Sequence, residues 1–180
     1  IPRFHAKPIA YMSTGGILSV VSGRISYVFG LSGPAVCYDT ACSSSLVALH
    51  TARLHLRCEV EEGHIHGGVN ITLSSDTSAI FQKAGMLAPD GRCKALDASA
   101  SGYVRSESCA IYCYVRPDHS ATRLSSLPVA LTLAGSAVNQ DGRSSALTAP
   151  NGPAQQSVIR LACMSTGEGK GCDLMAVQMH

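Results

Sequence analysis

Charged side chains are scarce in this sequence. Asp, Glu, Lys and Arg make up 14% of its 180 residues, well under the roughly 25% usual for globular domains. Much of the surface is therefore expected to lie against something else. A net charge of +2 argues against nucleic acid as a partner, since such binders carry a dense basic stripe. Long apolar runs are lacking as well. The best, around residues 17–28, is interrupted by Arg24, so no membrane span is expected. No charged stretch ahead of an apolar core marks a secretory leader. The sequence starts at Ile1 without an initiator methionine and stops at His180, so both ends read as cut. There is no internal repeat, no low-complexity tract and no room for a second complete domain. The length and a 46% hydrophobic content allow one domain with a substantial core.

The eight cysteines lack the compact framework of a small secreted disulfide domain, and no C-x-x-C pair points to zinc or redox work. A reducing compartment, the cytoplasm, is the expectation. His64 and His66 place two imidazoles on one face of a possible strand, but no third ligand stands nearby at metal spacing. No metal site is expected.

Periodicity outlines the elements. Ile17, Val21, Ile25 and Val28 share one helical face, with Gly30 as the terminator, although their β-branching keeps a buried strand in competition. A short strand at 34–38 and a helix over 44–57 follow, the helix apolar on several sides and so expected to be central. Strands are expected at 64–73, where Gly67-Gly68 marks close approach or a bulge, and at 109–115, 129–134 and 173–179. Residues 74–87 read as a loop entering a short helix, 88–92 and 139–142 as turns, and 118–126 as an exposed polar loop. Pro153 opens a last helix. Alternating strands and helices indicate an α/β layered fold.

Within this frame Cys42 stands out. The run 34–38 leads into Asp39-Thr-Ala, a cysteine stands at the corner, and Ser43-Ser-Ser precede the apolar segment 46–49. Strand, tight corner and helix would present a nucleophile on a rigid elbow. Helix N–H groups and the positive end of the dipole favour a thiolate there. Serine hydroxyls can satisfy the orphan N–H groups of the first turn. The competing reading is a buried cysteine acting as a small hydrophobe, and the residues alone leave both open.

The segment Asp39-Thr-Ala-Cys-Ser-Ser-Ser-Leu46 resembles the active-site signature of the β-ketoacyl synthase (ketosynthase) domain of type I polyketide synthases. The likeness continues in the family's order through Ser19–Tyr27, Gly30–Pro34, Gly67–Asn70, Lys83–Leu87, Pro89–Lys94, Asp97–Ser99, Gly102–Arg105, Ser136–Arg143 and Leu147–Pro153. The resemblance implies a thiolase-like layered αβαβα fold, of which this chain covers most of the first half (about 1–127) and the start of the second (128–180).

It also implies a mechanism and its residues. Cys42 would take an acyl chain from the phosphopantetheine of an acyl carrier protein. An enolate from a malonyl-type thioester would then attack the bound acyl group in a decarboxylative Claisen condensation. Val177-Gln-Met-His180 resembles the start of the motif bearing a catalytic histidine, so His180 would hydrogen-bond the malonyl thioester oxygen. The Cys42 N–H would join the oxyanion hole. The family's second histidine and lysine would lie past residue 180, so this chain alone would be inactive. No cofactor is bound directly, a homodimer is implied for the intact domain, and neither nucleic acid nor membrane is a partner.

Departures are few. Ser106 and Ser108 stand where the family typically has glycine, a strain if those positions need positive φ. Arg105 and Glu107 read as a structural ion pair. The fatty-acid condensing enzymes share the mechanism, but their nucleophile is more often followed by Ala-Thr than by Ser43-Ser44. A catalytically silent acyl-binding or scaffold module is the alternative of another class.

Overall fold

The computed structural model describes residues 10–58, 63–116, 128, 131–166 and 176–178. In chain order these form α1 (Met12–Gly15), α2 (Leu18–Phe29), a 3-10 turn (Ala41–Ser43), α3 (Ser44–Cys58), β1 (Gly63–Asn70), α4 (Ser75–Lys83), β2 (Ser108–Val115) and α5 (Gly152–Met164). The helix expected on the Ile17/Val21/Ile25/Val28 face is α2. Gly30 ends it in the left-handed conformation (φ 66°), where a missing Cβ removes the steric cost. Asn151 caps α5 by accepting the Ala154 N–H at 3.2 Å, and proline occupies the first turn as expected.

β1 and β2 form an antiparallel pair in unbroken register, from Gly63 opposite Val115 to Asn70 opposite Ser108. There is no bulge. The two glycines instead serve close approach. A Cβ on Gly68 would meet Ser45 Cβ at 2.9 Å, and one on Gly67 would overlap the Ala110 carbonyl oxygen. Gly68 thus lets β1 lie against the first turn of α3, and Gly67 lets it pair closely with β2. α3 packs on this sheet and buries Ala52, Arg53 and Leu56, the last to 2% exposure. Leu46 and Leu54 stay exposed, so the helix buries one side where burial on several sides was expected.

Three expected strands need correction. Residues 34–38, 131–134 and 176–178 are irregular. Apolar alternation alone does not make a strand, which needs a neighbour offering ladder hydrogen bonds, and among the described residues none pairs with these segments. Residues 129, 130, 173–175 and 179 of the same expectations, and the polar loop at 118–126, lie outside the described residues. Arg105 and Glu107 are not paired with each other. The Arg105 guanidinium lies over the Phe81 ring, 5.2 Å from its centre, while Glu107 Oε1 accepts the Thr72 N–H at 2.7 Å. Asn70 Nδ2 donates to the Ser106 carbonyl at 2.6 Å. These contacts stitch 105–107 to the end of β1. Among the described non-glycine residues, positive φ occurs at Ala41 and Leu96, so Ser106 and Ser108 carry none of the strain that glycine would relieve.

The two imidazoles of β1 both pack against other rings. His64 meets the His55 ring edge-on at 5.7 Å, and His66 stacks on Tyr112 at 5.5 Å. Partial burial and the neighbouring His64 hold the His66 pKa below its ordinary 6.5. The folded state then binds fewer protons than the unfolded chain as pH falls through that range. This contribution to stability is complete above about pH 6.5 and is lost as pH drops toward the lowered folded value. Urea midpoints at pH 7.5 and 5.5 should therefore differ less in His66→Phe than in the wild type. Gly67→Ala should cost more than about 2 kcal/mol, read in the same urea titrations at pH 7.5.

Candidate active site

The candidate nucleophile sits where irregular chain turns into helix. The turn is made by Ala41, whose φ is 57°, a left-handed conformation costing an L-residue roughly 1–2 kcal/mol. Such strain persists only where neighbours over-determine it, and here they do. Asp39 Oδ1 accepts the Ala41 N–H at 3.4 Å. Ser44 Oγ accepts the Thr40 N–H at 2.9 Å and donates to the Ala41 carbonyl at 2.7 Å. Ser43 Oγ donates to the Thr40 carbonyl at 2.9 Å, which leaves the Thr40 hydroxyl to donate to Ser43 Oγ, also at 2.9 Å. The third serine, Ser45, is the one that faces Gly68. The serine run therefore braces the corner. It does so through carbonyls as much as through the N–H groups the sequence pointed to.

Cys42 follows Ala41 within the 3-10 turn that runs directly into α3. It is an exposed free thiol, which removes the reading of a buried small hydrophobe. Its sulfur accepts and donates no hydrogen bond among the described residues, so the thiol is open to an incoming group. Cys37, on the approach to the corner, instead donates its S–H to Ser22 Oγ on α2 at 3.4 Å. His180 lies outside the described residues, so the pairing of Cys42 with His180 rests on the sequence resemblance alone.

Other stretches of the motif set have structural duties. Asp97 Oδ1 accepts both the backbone N–H and the hydroxyl of Ser99 at 2.7 Å, which holds its carboxyl below the ordinary 3.8. Lys94 reaches Asp90 at 2.7 Å and lowers that carboxyl as well. Asn151 Nδ2 donates to the Asp141 carbonyl at 2.9 Å and shapes the 140–150 loop, which lines an open depression of about 410 Å³. Cys42 does not line it.

Sequence reasoning missed two features. Nothing marks Ala41 as left-handed, because alanine is not a residue that seeks this conformation. Arg53, at 7% exposure, is a buried cation that the sequence reading did not single out.

The elbow's strain gives a direct test. Ala41→Gly should be neutral or slightly stabilising, whereas Ala41→Val should cost about 1–3 kcal/mol. Thermal unfolding followed by circular dichroism separates the two.

Residues 4–115 match the family described as Beta-ketoacyl synthase, N-terminal domain. Over 91% of its length the chain is 48% identical to the mycoketide-CoA synthase of Mycobacterium tuberculosis, of which it covers 4%. Over 99% of its length it is 45% identical to erythronolide synthase EryA3 of Saccharopolyspora erythraea, covering 6% of that protein. Among solved structures it is similar to the ketosynthase from module 6 of the bacillaene synthase of Bacillus subtilis 168, at 35% identity and a TM-score of 0.76. That match spans 85% of this chain and 27% of the other. The oxazolomycin ketosynthase domain of Streptomyces albus JA3453 matches at 33% identity and a TM-score of 0.78, again over 27% of its length. The chain belongs to the β-ketoacyl synthase family, as part of a ketosynthase of the polyketide-synthase kind with its thiolase-like fold.

Proposed function

We propose that this chain carries the nucleophile of a polyketide-synthase ketosynthase, an acyltransferase that extends a Cys42-bound acyl chain by decarboxylative condensation. The observation that carries the reading is the exposed Cys42 thiol at a braced left-handed corner heading α3, inside the family's matched region. The elbow holds the sulfur at a fixed point on a rigid helix, which is what nucleophilic catalysis needs.

The steps follow from thioester chemistry. The Cys42 sulfur attacks the carbonyl carbon of an acyl thioester on acyl carrier protein, and the phosphopantetheine thiol leaves with the proton. The phosphopantetheine arm is thus part of the substrate, brought by the partner. A malonyl-type thioester then loses carbon dioxide, and its electron pair becomes an enolate. The enolate carbon attacks the Cys42 thioester, a carbon–carbon bond forms, the carbon–sulfur bond breaks, and the β-ketoacyl product leaves on the carrier. His180, with a second histidine expected after it, hydrogen-bonds the malonyl thioester oxygen as charge develops. The Cys42 N–H serves the oxyanion of the acyl-enzyme step.

In this reading residues 1–127 belong to the first half of the domain and 128–180 to the start of the second. The domain works as a cytoplasmic homodimer. The chain spans about a quarter of the solved ketosynthases it resembles, and condensation is proposed to need the complete domain.

The complete ketosynthase domain should gain the mass of one acyl group per chain when incubated with an acyl thioester, and Cys42→Ala should gain none. Equal labelling of the two proteins would defeat the assignment. Condensation by the isolated 180-residue chain at the rate of the complete domain would defeat the division of labour.

A further inference from the structure

Residues 134–139 run between α3 and α5, and their contacts fix both direction and facing. A Cβ on Gly135 would run into the Ala162 carbonyl oxygen and Ser165 Oγ at the end of α5. Asn139 Nδ2 donates to the Ala154 carbonyl near the start of that helix at 2.7 Å. From Ala154 to Ala162 the helix rises about 12 Å, and extended chain from Gly135 to Asn139 covers about 13 Å. The segment is therefore extended and antiparallel to α5, with positions 135 and 139 turned toward it. Side chains alternate along extended chain, so positions 136 and 138 turn the other way. Ser136 bears this out, since its Oγ meets His50 Nδ1 on α3 at 2.9 Å.

The segment also advances toward the start of α3. Ala134 accepts from Arg53, and Ser136 meets His50. Val138 stands about 7 Å beyond Ser136, and Leu46 about 6 Å before His50 along the helix axis. The two apolar side chains are thereby brought to face each other. A further turn back, at the same spacing of four, the helix face reaches Cys42. The seam is closed at one end by the His50–Ser136 hydrogen bond. Toward Cys42 it is open, with Leu46 66% and Val138 46% exposed and the thiol exposed as well. Neither residues 43–49 nor residues 131–140 include a charged side chain.

Resting on the ketosynthase reading above, we infer that Leu46 and Val138 are specificity-determining residues, the apolar walls along which the acyl chain bound to Cys42 lies. The thioester forms as the carrier thiol leaves with its proton, so the acyl chain is tethered by its carbonyl carbon at the mouth of the seam. An acetyl group ends before Leu46. An octanoyl chain passes between Leu46 and Val138 and removes both from water, which favours the longer chain in proportion to the apolar area covered.

The test uses the complete ketosynthase domain and the acetyl and octanoyl thioesters of N-acetylcysteamine. Intact mass followed over time gives the rate at which Cys42 takes each group, and the readout is the ratio of octanoyl to acetyl rate. Leu46→Ala should lower that ratio by about tenfold. Val138→Thr keeps the side-chain shape, adds a hydroxyl and should lower the ratio by a smaller factor. It carries the test if circular dichroism shows the alanine variant unfolded. A merely structural role would slow both groups equally. An unchanged ratio in the folded variants would therefore overturn the inference. A wild-type domain that takes acetyl but no octanoyl would overturn it too and leave the ketosynthase reading standing, whereas one that takes neither would overturn both.

Discussion

A single backbone angle governs this structure. With Ala41 at φ 57° the chain reverses sharply enough for Cys42 to stand at the head of α3 with its sulfur in the open. The conformation is unfavourable for alanine by roughly 1–2 kcal/mol, and the corner contains the groups that offset it. Ser44 ties Thr40 to Ala41 through one hydroxyl used in both directions, Ser43 closes on the Thr40 carbonyl, and Asp39 holds the Ala41 N–H. Each such bond contributes on the order of 1 kcal/mol net, so the set is of the size needed. The polar character of the signature is thereby explained from within. Its serines are structural members of the corner, and the thiol is left as its chemically free group.

The corner has to be anchored to something rigid, and the sheet supplies it. Ser45, one residue past the braced turn, rests where β1 has Gly68. Further along α3, Ala52 and Leu56 supply the buried apolar contacts. Side chains at Gly67 or Gly68 would push β1 off β2 or off α3, and the elbow would lose its support. The glycine pair and the Cys42 corner are thus two parts of one packing arrangement, although more than twenty residues separate them in the sequence.

Sequence patterns revealed whatever was locally encoded. The apolar spacing of α2, its glycine terminator, the β2 alternation and the proline at the start of α5 each act within a few residues, and each element stands as expected. The corner at Cys42 was legible for the same reason. The misses share a different origin. Residues 34–38 and 131–134 alternate like strands, yet strand formation is decided by a partner that periodicity does not name. Arg105 and Glu107 are close in sequence and of opposite charge, yet each found a better partner, an aromatic face and a backbone N–H, on segments distant in sequence. Arg53 was not singled out, because the Ala134 and Ser165 carbonyls that accept from it lie far along the chain. Ala41 gives no sign at all, since its angle is imposed by its neighbours' side chains.

This separation between local and distant encoding extends to the chemistry. Large apolar side chains of α2 such as Val21, Ile25, Val28 and Phe29 are exposed, and few charges accompany them. Apolar faces of that extent call for a covering surface, and the solved ketosynthases are nearly four times longer than the part matched here. The bracing of Cys42 draws on none of that cover, since its hydrogen bonds begin and end within residues 39–44. Segments far apart in the chain meet instead through contacts such as those of Arg53, whose Nη2 donates to the Ala134 and Ser165 carbonyls. The Cys42 thiol is thus held by local bonds alone, while the place of α5 against α3 depends on a contact between residues 112 positions apart.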